Sequence, residues 1–105
     1  MNVTFSNEAK KSDASYTLLR NATRVVEEAI GDSTTDAVWD RAPDDRGSPQ
    51  YSLRISDGNE SADDLFSPDE LESKIRMQIR AYRLLGKLLQ VRSNKILQRI
   101  NQSEN

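Results

Sequence analysis

The sequence predicts a two-layer α+β domain: a small antiparallel sheet covered on one face by an N-terminal helix and a long C-terminal helix, in the order α-β-β-(β)-α. Three observations carry this. Apolar residues recur at helical spacing over residues 13–30 and again over 68–91, and between them two short runs of alternating hydrophobicity flank a turn-rich stretch. With 105 residues the chain supports one domain with one modest core.

Residues 1–11 sustain no period and read as a flexible N-terminal arm, in which Val3 and Phe5 alternate only as far as a very short strand would. The domain itself is expected over 12–100, with 101–105 as a flexible C-terminal tail. From Asp13, Leu18, Leu19, Ala22, Val25, Val26, Ala29 and Ile30 share one helical face, while Arg20, Arg24, Glu27 and Glu28 take the other. Ser12 or Asp13 can cap the start, and Gly31 is placed to stop the helix.

The runs "TTDAVWDRA" and "QYSLRIS" flank "PDDRGSP", whose Pro, Asp and Gly residues favour a turn, so the pair is expected to form a hairpin. With Trp39 opposite Leu53, one face collects Ala37, Trp39, Tyr51, Leu53 and Ile55. The other collects Asp36, Asp40, Ser52, Arg54 and Ser56. A sole tryptophan on the apolar face belongs to the core sooner than to a binding surface. The stretch 57–64 reads as a loop, with a short third strand suggested around Ser61 to Phe66.

Ser67-Pro-Asp-Glu70 is the clearest local signal. A capping-box Ser, Pro at the first helical position and Glu three residues after the cap are followed by Leu71, which can staple to Phe66. The helix beginning at Pro68 has two apolar edges. Ile75, Ile79, Tyr82, Leu85 and Leu89 lie along one, and Met77, Ala81, Leu84, Leu88 and Val91 along the other. A helix resting on one sheet needs an apolar arc of only about 100°. The excess implies contact with a second surface, either the helix over 13–30 or another copy of the molecule, and it marks Met77, Ala81, Leu84, Leu88 and Val91 as candidates for an interface, with a second copy of the chain or another protein as partner. Past Val91 the apolar stripe thins to Ile96, Leu97 and Ile100, leaving open whether the helix bends near Ser93-Asn94, frays, or runs past the body of the domain.

Composition excludes much. There is no cysteine and no histidine, which removes disulfides, thiolate chemistry, the commonest general base and the commonest transition-metal ligand. No nucleophile–base motif or Gly-rich phosphate loop is present, so catalysis and cofactor use are not expected. Asp57, Asn59, Ser61 and Asp63 alternate as ligands do at the start of a calcium loop. Ala62 stands where the loop needs Gly, however, and Pro68 where it needs its last Glu. A hard cation held by the acidic loop is therefore only a minor reading. The pairs Asp44-Asp45 and Asp63-Asp64 read as turn residues before they read as catalytic carboxylates. No apolar run approaches the length of a secretion signal or a membrane span, so the expectation is a soluble, cytoplasmic protein without membrane contact.

The net charge of −2 hides a dipolar chain. Residues 31–72 hold twelve acids against Arg41, Arg46 and Arg54, a net of −9, whereas 73–103 hold eight bases and no acid. Arg76, Arg80, Arg83 and Lys87 fall on one stripe of the last helix. Four aligned cations could neutralise phosphates, which makes a nucleic-acid-binding regulator the alternative to an interaction module. The α-β-β-β-α order is similar to that of the double-stranded RNA-binding domain, whose last helix opens with phosphate-gripping lysines. Here that opening reads "SPDELESK", acidic through Asp69, Glu70 and Glu72, so no function carries over. The preferred expectation is a non-catalytic module that self-associates, as a dimer, through the C-terminal helix.

Overall fold

The computed structural model describes residues 1–42 and 49–103. The chain runs β1 (Asn2–Phe5), α1 (Asp13–Ile30), a 3-10 turn (Gly31–Ser33), β2 (Asp36–Ala42), β3 (Gln50–Ser56), β4 (Ser61–Phe66), α2 (Pro68–Glu72) and α3 (Lys74–Ser103). This is the expected α+β fold, with one strand more than expected. The sheet has the order β1-β2-β3-β4, and β1 lies parallel to β2 while the other pairs are antiparallel, so the sheet is mixed.

The added strand lies in the segment expected to be a flexible arm. Val3 and Phe5 stand opposite Ala37 and Trp39, and the segment is fastened at both ends by Asn2 N–H to Thr35 O (2.7 Å) and Ser6 N–H to Trp39 O (2.9 Å). Ser6 Oγ donates to Asp40 Oδ1 at 2.6 Å and accepts from Ala9 N–H at 3.1 Å, and Ala9 is fully buried. A parallel pair needs a long crossover between its strands. Here α1 is that crossover, so the pairing joins residues more than thirty positions apart and has no local signature.

Ser12 caps α1, its hydroxyl accepting from Ser15 N–H. Gly31 does not end the helix in a left-handed turn: with φ −55° it continues right-handed into the 3-10 turn, and the chain becomes extended at Thr34. The β2–β3 register places Trp39 opposite Leu53, as the alternation predicts. Ala37, Trp39, Tyr51, Leu53 and Ile55 are all buried, and Asp36, Asp40 and Arg54 are exposed on the far side. The segment 43–48, where the turn with Asp44 and Asp45 is expected, lies outside the described residues.

One core fills the space between the sheet and the helices. Trp39 is fully buried and meets Phe66 edge-on at 5.8 Å. Its indole N–H donates to Thr23 Oγ1 (2.8 Å), which in turn donates to Leu19 O (2.7 Å), so the polar atoms this packing buries are satisfied. Tyr51 hydroxyl donates to Ser15 Oγ at 2.7 Å, fastening the start of α1 to the sheet.

The capping box at Ser67 forms, with the Ser67 hydroxyl accepting from Glu70 N–H and the Glu70 carboxylate accepting from Ser67 N–H. Phe66 and Leu71 are both buried beside it. The helix it starts is short, however. Ser73 is extended (φ −93°, ψ 111°) and divides the expected single helix into α2 and α3. Its hydroxyl accepts from Arg76 N–H and its carbonyl from Met77 N–H, which starts the new helix. The 30 residues of α3 extend about 45 Å at ~1.5 Å per residue, and the helix is unbroken through Ser93-Asn94, also absorbing residues expected as a tail. No helix among the described residues is long and apolar enough to cross a membrane.

Candidate interaction surface

The break at Ser73 re-aims the chain, and with it the two apolar edges of α3. Met77, Ala81, Leu84 and Leu88 are fully buried in the core, and Val91 is partly exposed. The first four were expected to form the interface and are not available to a partner, because the sheet and α1 occupy that edge. The other edge is the open one. Ile75 is 70% exposed, Tyr82 59% and Ile79 52%, and Leu89 is also exposed, while Leu85 packs partly against the core.

The basic stripe divides as well. Arg80 is mostly buried and serves the fold: its guanidinium pairs with Glu70 and with Asp64 (3.2 Å), donates to Leu65 O (2.7 Å) and lies 4.6 Å over the Phe66 ring. Lys87 donates to Asp63 O at 3.0 Å and lies 3.7 Å from Asp64. Arg76 and Arg83 are exposed and have no ion pair among the described residues. Two of the four cations are therefore already engaged, and the two that remain flank the exposed apolar edge.

Asp63 and Asp64, expected in a turn, belong to β4 and point to opposite sides of the sheet. Asp63 lies near Arg54 on the open face (3.8 Å), and Asp64 lies on the inner face beneath Arg80. An acid turned inward on an edge strand discourages pairing with a foreign strand. Partial burial opposes ionisation of Asp64 and of Glu70. The Leu65 N–H for the one, the Ser67 N–H for the other, and Arg80 for both outweigh it and hold both carboxyls below the usual range.

Beyond Val91, every residue from Arg92 to Asn101 is exposed. This overhang is held by charge. Arg92 pairs with Asp57, and Lys95 with Glu60 at 2.7 Å. Asp57 lies in the β3–β4 turn, where Gly58 has φ +95°, a conformation that favours glycine. Its carboxylate accepts from Glu60 N–H (2.8 Å) and Asn59 N–H (3.0 Å). The Glu60 N–H first, then Arg92 and the Asn59 N–H, hold its pKa well below the usual range. The acidic loop is thus a turn whose acids anchor α3. Ser61 and Asp63 stand on β4, and no group of three or more acids among the described residues is placed to hold a metal.

The overhang carries the exposed Ile96, Leu97 and Ile100. With the outer edge of α3, Ile96 and Ile100 complete a regular series, 75, 79, 82, 86, 89, 93, 96 and 100, occupied by Ile, Ile, Tyr, Gly, Leu, Ser, Ile and Ile. The alternating steps of four and three are the heptad spacing of a helix that packs along another helix. The spacing is visible in the sequence. That this series, rather than the one through Met77 and Leu84, faces outward is visible only in the fold. The chain matches no protein-family model and no curated protein.

Proposed function

We propose that this chain is a non-catalytic, cytoplasmic protein–protein interaction module that self-associates through the outer edge of α3. The observation that supports the reading is the exposed series Ile75, Ile79, Tyr82, Leu89, Ile96 and Ile100, running nearly the whole length of α3. Contiguous apolar surface of several hundred Å² is rarely left open on a monomer and marks a site of association. The exposed cations Arg76 and Arg83 lie beside the series, and neither has a carboxylate paired with it among the described residues.

The test is solution mass by light scattering from low to high micromolar concentration. A mass rising to twice that of the chain is expected. A monomer across the whole range sinks the reading. The rival, a nucleic-acid-binding regulator, draws on Arg76 and Arg83 beside Tyr82, and its signature would be an affinity that falls steeply with salt.

A further inference from the structure

Gly86 occupies the middle of α3 and of its exposed series. Glycine in a helix interior is unfavourable, and nothing among the described residues calls for it: a Cβ built there meets none of their atoms within 4 Å. A notch in an exposed apolar seam is accounted for when another backbone or a large side chain comes against it. Ser93, seven residues on, is the second small residue of the series.

We propose that the occupant is a second copy of α3, packed antiparallel about a two-fold axis passing between Lys87 and Leu88. This rests on the self-association proposed above and specifies its geometry. In that register Gly86 faces Leu89 of the second copy, and Ser93 faces Tyr82. Ile79 faces Ile96, and Ile75 faces Ile100. Each small residue meets a large one, so the layers fill evenly. A parallel, in-register pair instead sets Tyr82 against Tyr82 and Gly86 against Gly86, an overfilled layer next to a void, both unfavourable.

Charge agrees with the two-fold arrangement. In it Arg76 lies beside Leu97 of the second copy and Arg83 beside Gln90, so no arginine is brought against another across the seam. Area agrees also. The six large apolar residues of the series are between 45% and 70% exposed. At on the order of 100 Å² for each half-exposed side chain, two copies together bury an area near the lower end of the roughly 1,200–2,000 Å² of stable interfaces. The seam is turned away from the core, so the two sheets stand clear of one another.

The absence of cysteine makes crosslinking a direct test. Ile79→Cys and Ile96→Cys chains are prepared separately, then mixed under oxidising conditions. A disulfide needs Cα atoms within about 7 Å, and in the antiparallel register the two Ile79 positions are about 25 Å apart along the helix. The expected result is a crosslinked dimer from the mixture and none from either variant alone. Crosslinking of Ile79→Cys by itself means a parallel pair and overturns the register while leaving self-association standing. A dimeric mass with no crosslink in any combination places the interface elsewhere and also overturns it. A monomeric mass for the unmodified protein removes self-association itself. As a second reading of the notch, Gly86→Leu is expected to keep its circular dichroism spectrum and weaken association at least tenfold; unchanged association refutes the Gly86–Leu89 layer.

Discussion

The inner and outer edges of α3 are built from similar apolar residues and meet opposite fates. Met77, Ala81, Leu84 and Leu88 are wholly enclosed, while Ile75, Ile79, Tyr82 and Leu89 stand in water. Hydrophobicity alone does not rank them. What separates them is the direction in which the chain leaves α2: the extended Ser73 turns α3 so that Arg80 comes over the Phe66 ring and between Asp64 and Glu70. With Arg80 so placed, the adjacent edge at Met77, Ala81 and Leu84 closes on the core. Among the described residues nothing covers the edge on the far side of the helix. The same division runs through the cations, with Arg80 engaged by the fold and Arg83 free of ion pairs among the described residues.

The sharpest way to break this comparison is to truncate one residue on each edge. Leu84→Ala is expected to lower stability by about 2–5 kcal/mol, because it removes a buried side chain and leaves a cavity. Ile79→Ala, measured where the protein is monomeric, is expected to change it by about 0.5 kcal/mol or less, as exposed positions do. Urea unfolding of the two variants decides the matter, and equal losses would show that the edges are energetically alike.

A smaller effect is expected from the cations. Arg80→Ala removes the guanidinium that Asp64, Glu70 and the Leu65 carbonyl share, leaving Asp64 to the Leu65 N–H and Lys87 and Glu70 to the Ser67 N–H, and a loss of about 1–3 kcal/mol is expected from weakening the pairing of these partly buried groups. Arg83→Ala should cost about 0–0.5 kcal/mol. Thermal unfolding at one salt concentration compares them directly. If the Arg83 variant were the weaker of the two, the assignment of Arg80 to the fold would have to be abandoned.

Acid sharpens the same contrast by the smallest increment. Asp57, Asp64 and Glu70 all have carboxyls held below their ordinary range, by N–H groups and by Arg92 or Arg80. When a folded-state pKa is depressed, the unfolded chain takes up protons first. The stabilisation is therefore present above the unfolded values of about 4 and is lost as pH falls through the folded ones. The urea midpoint should hold steady from neutral pH down to about 5 and decline below about 4. In the Arg80→Ala variant the decline should be shallower, since Glu70 loses its cation and Asp64 keeps only Lys87; an identical slope would mean Arg80 does not govern their ionisation.

What the sequence by itself determined is what short-range chemistry specifies. The capping box at Ser67, the cap at Ser12, the helix over 13–30 and the face-by-face alternation that sets Trp39 opposite Leu53 depend on residues a few positions apart. The double apolar edge of α3 was equally plain, because helical spacing at about 100° per residue is a local property. Only the tertiary structure decided which edge the core would take. It also decided that the N-terminal arm is a strand, since β1 is joined to β2 through hydrogen bonds that span the whole of α1. The acids of β4 follow the same logic. Two adjacent aspartates resemble a turn until Asp64 is seen beneath Arg80, a partner sixteen residues away that only the packing of α3 on the sheet brings to it. Periodicity tells a helix that it has a face to bury, and the partner for that face is set by contacts between residues far apart in the chain.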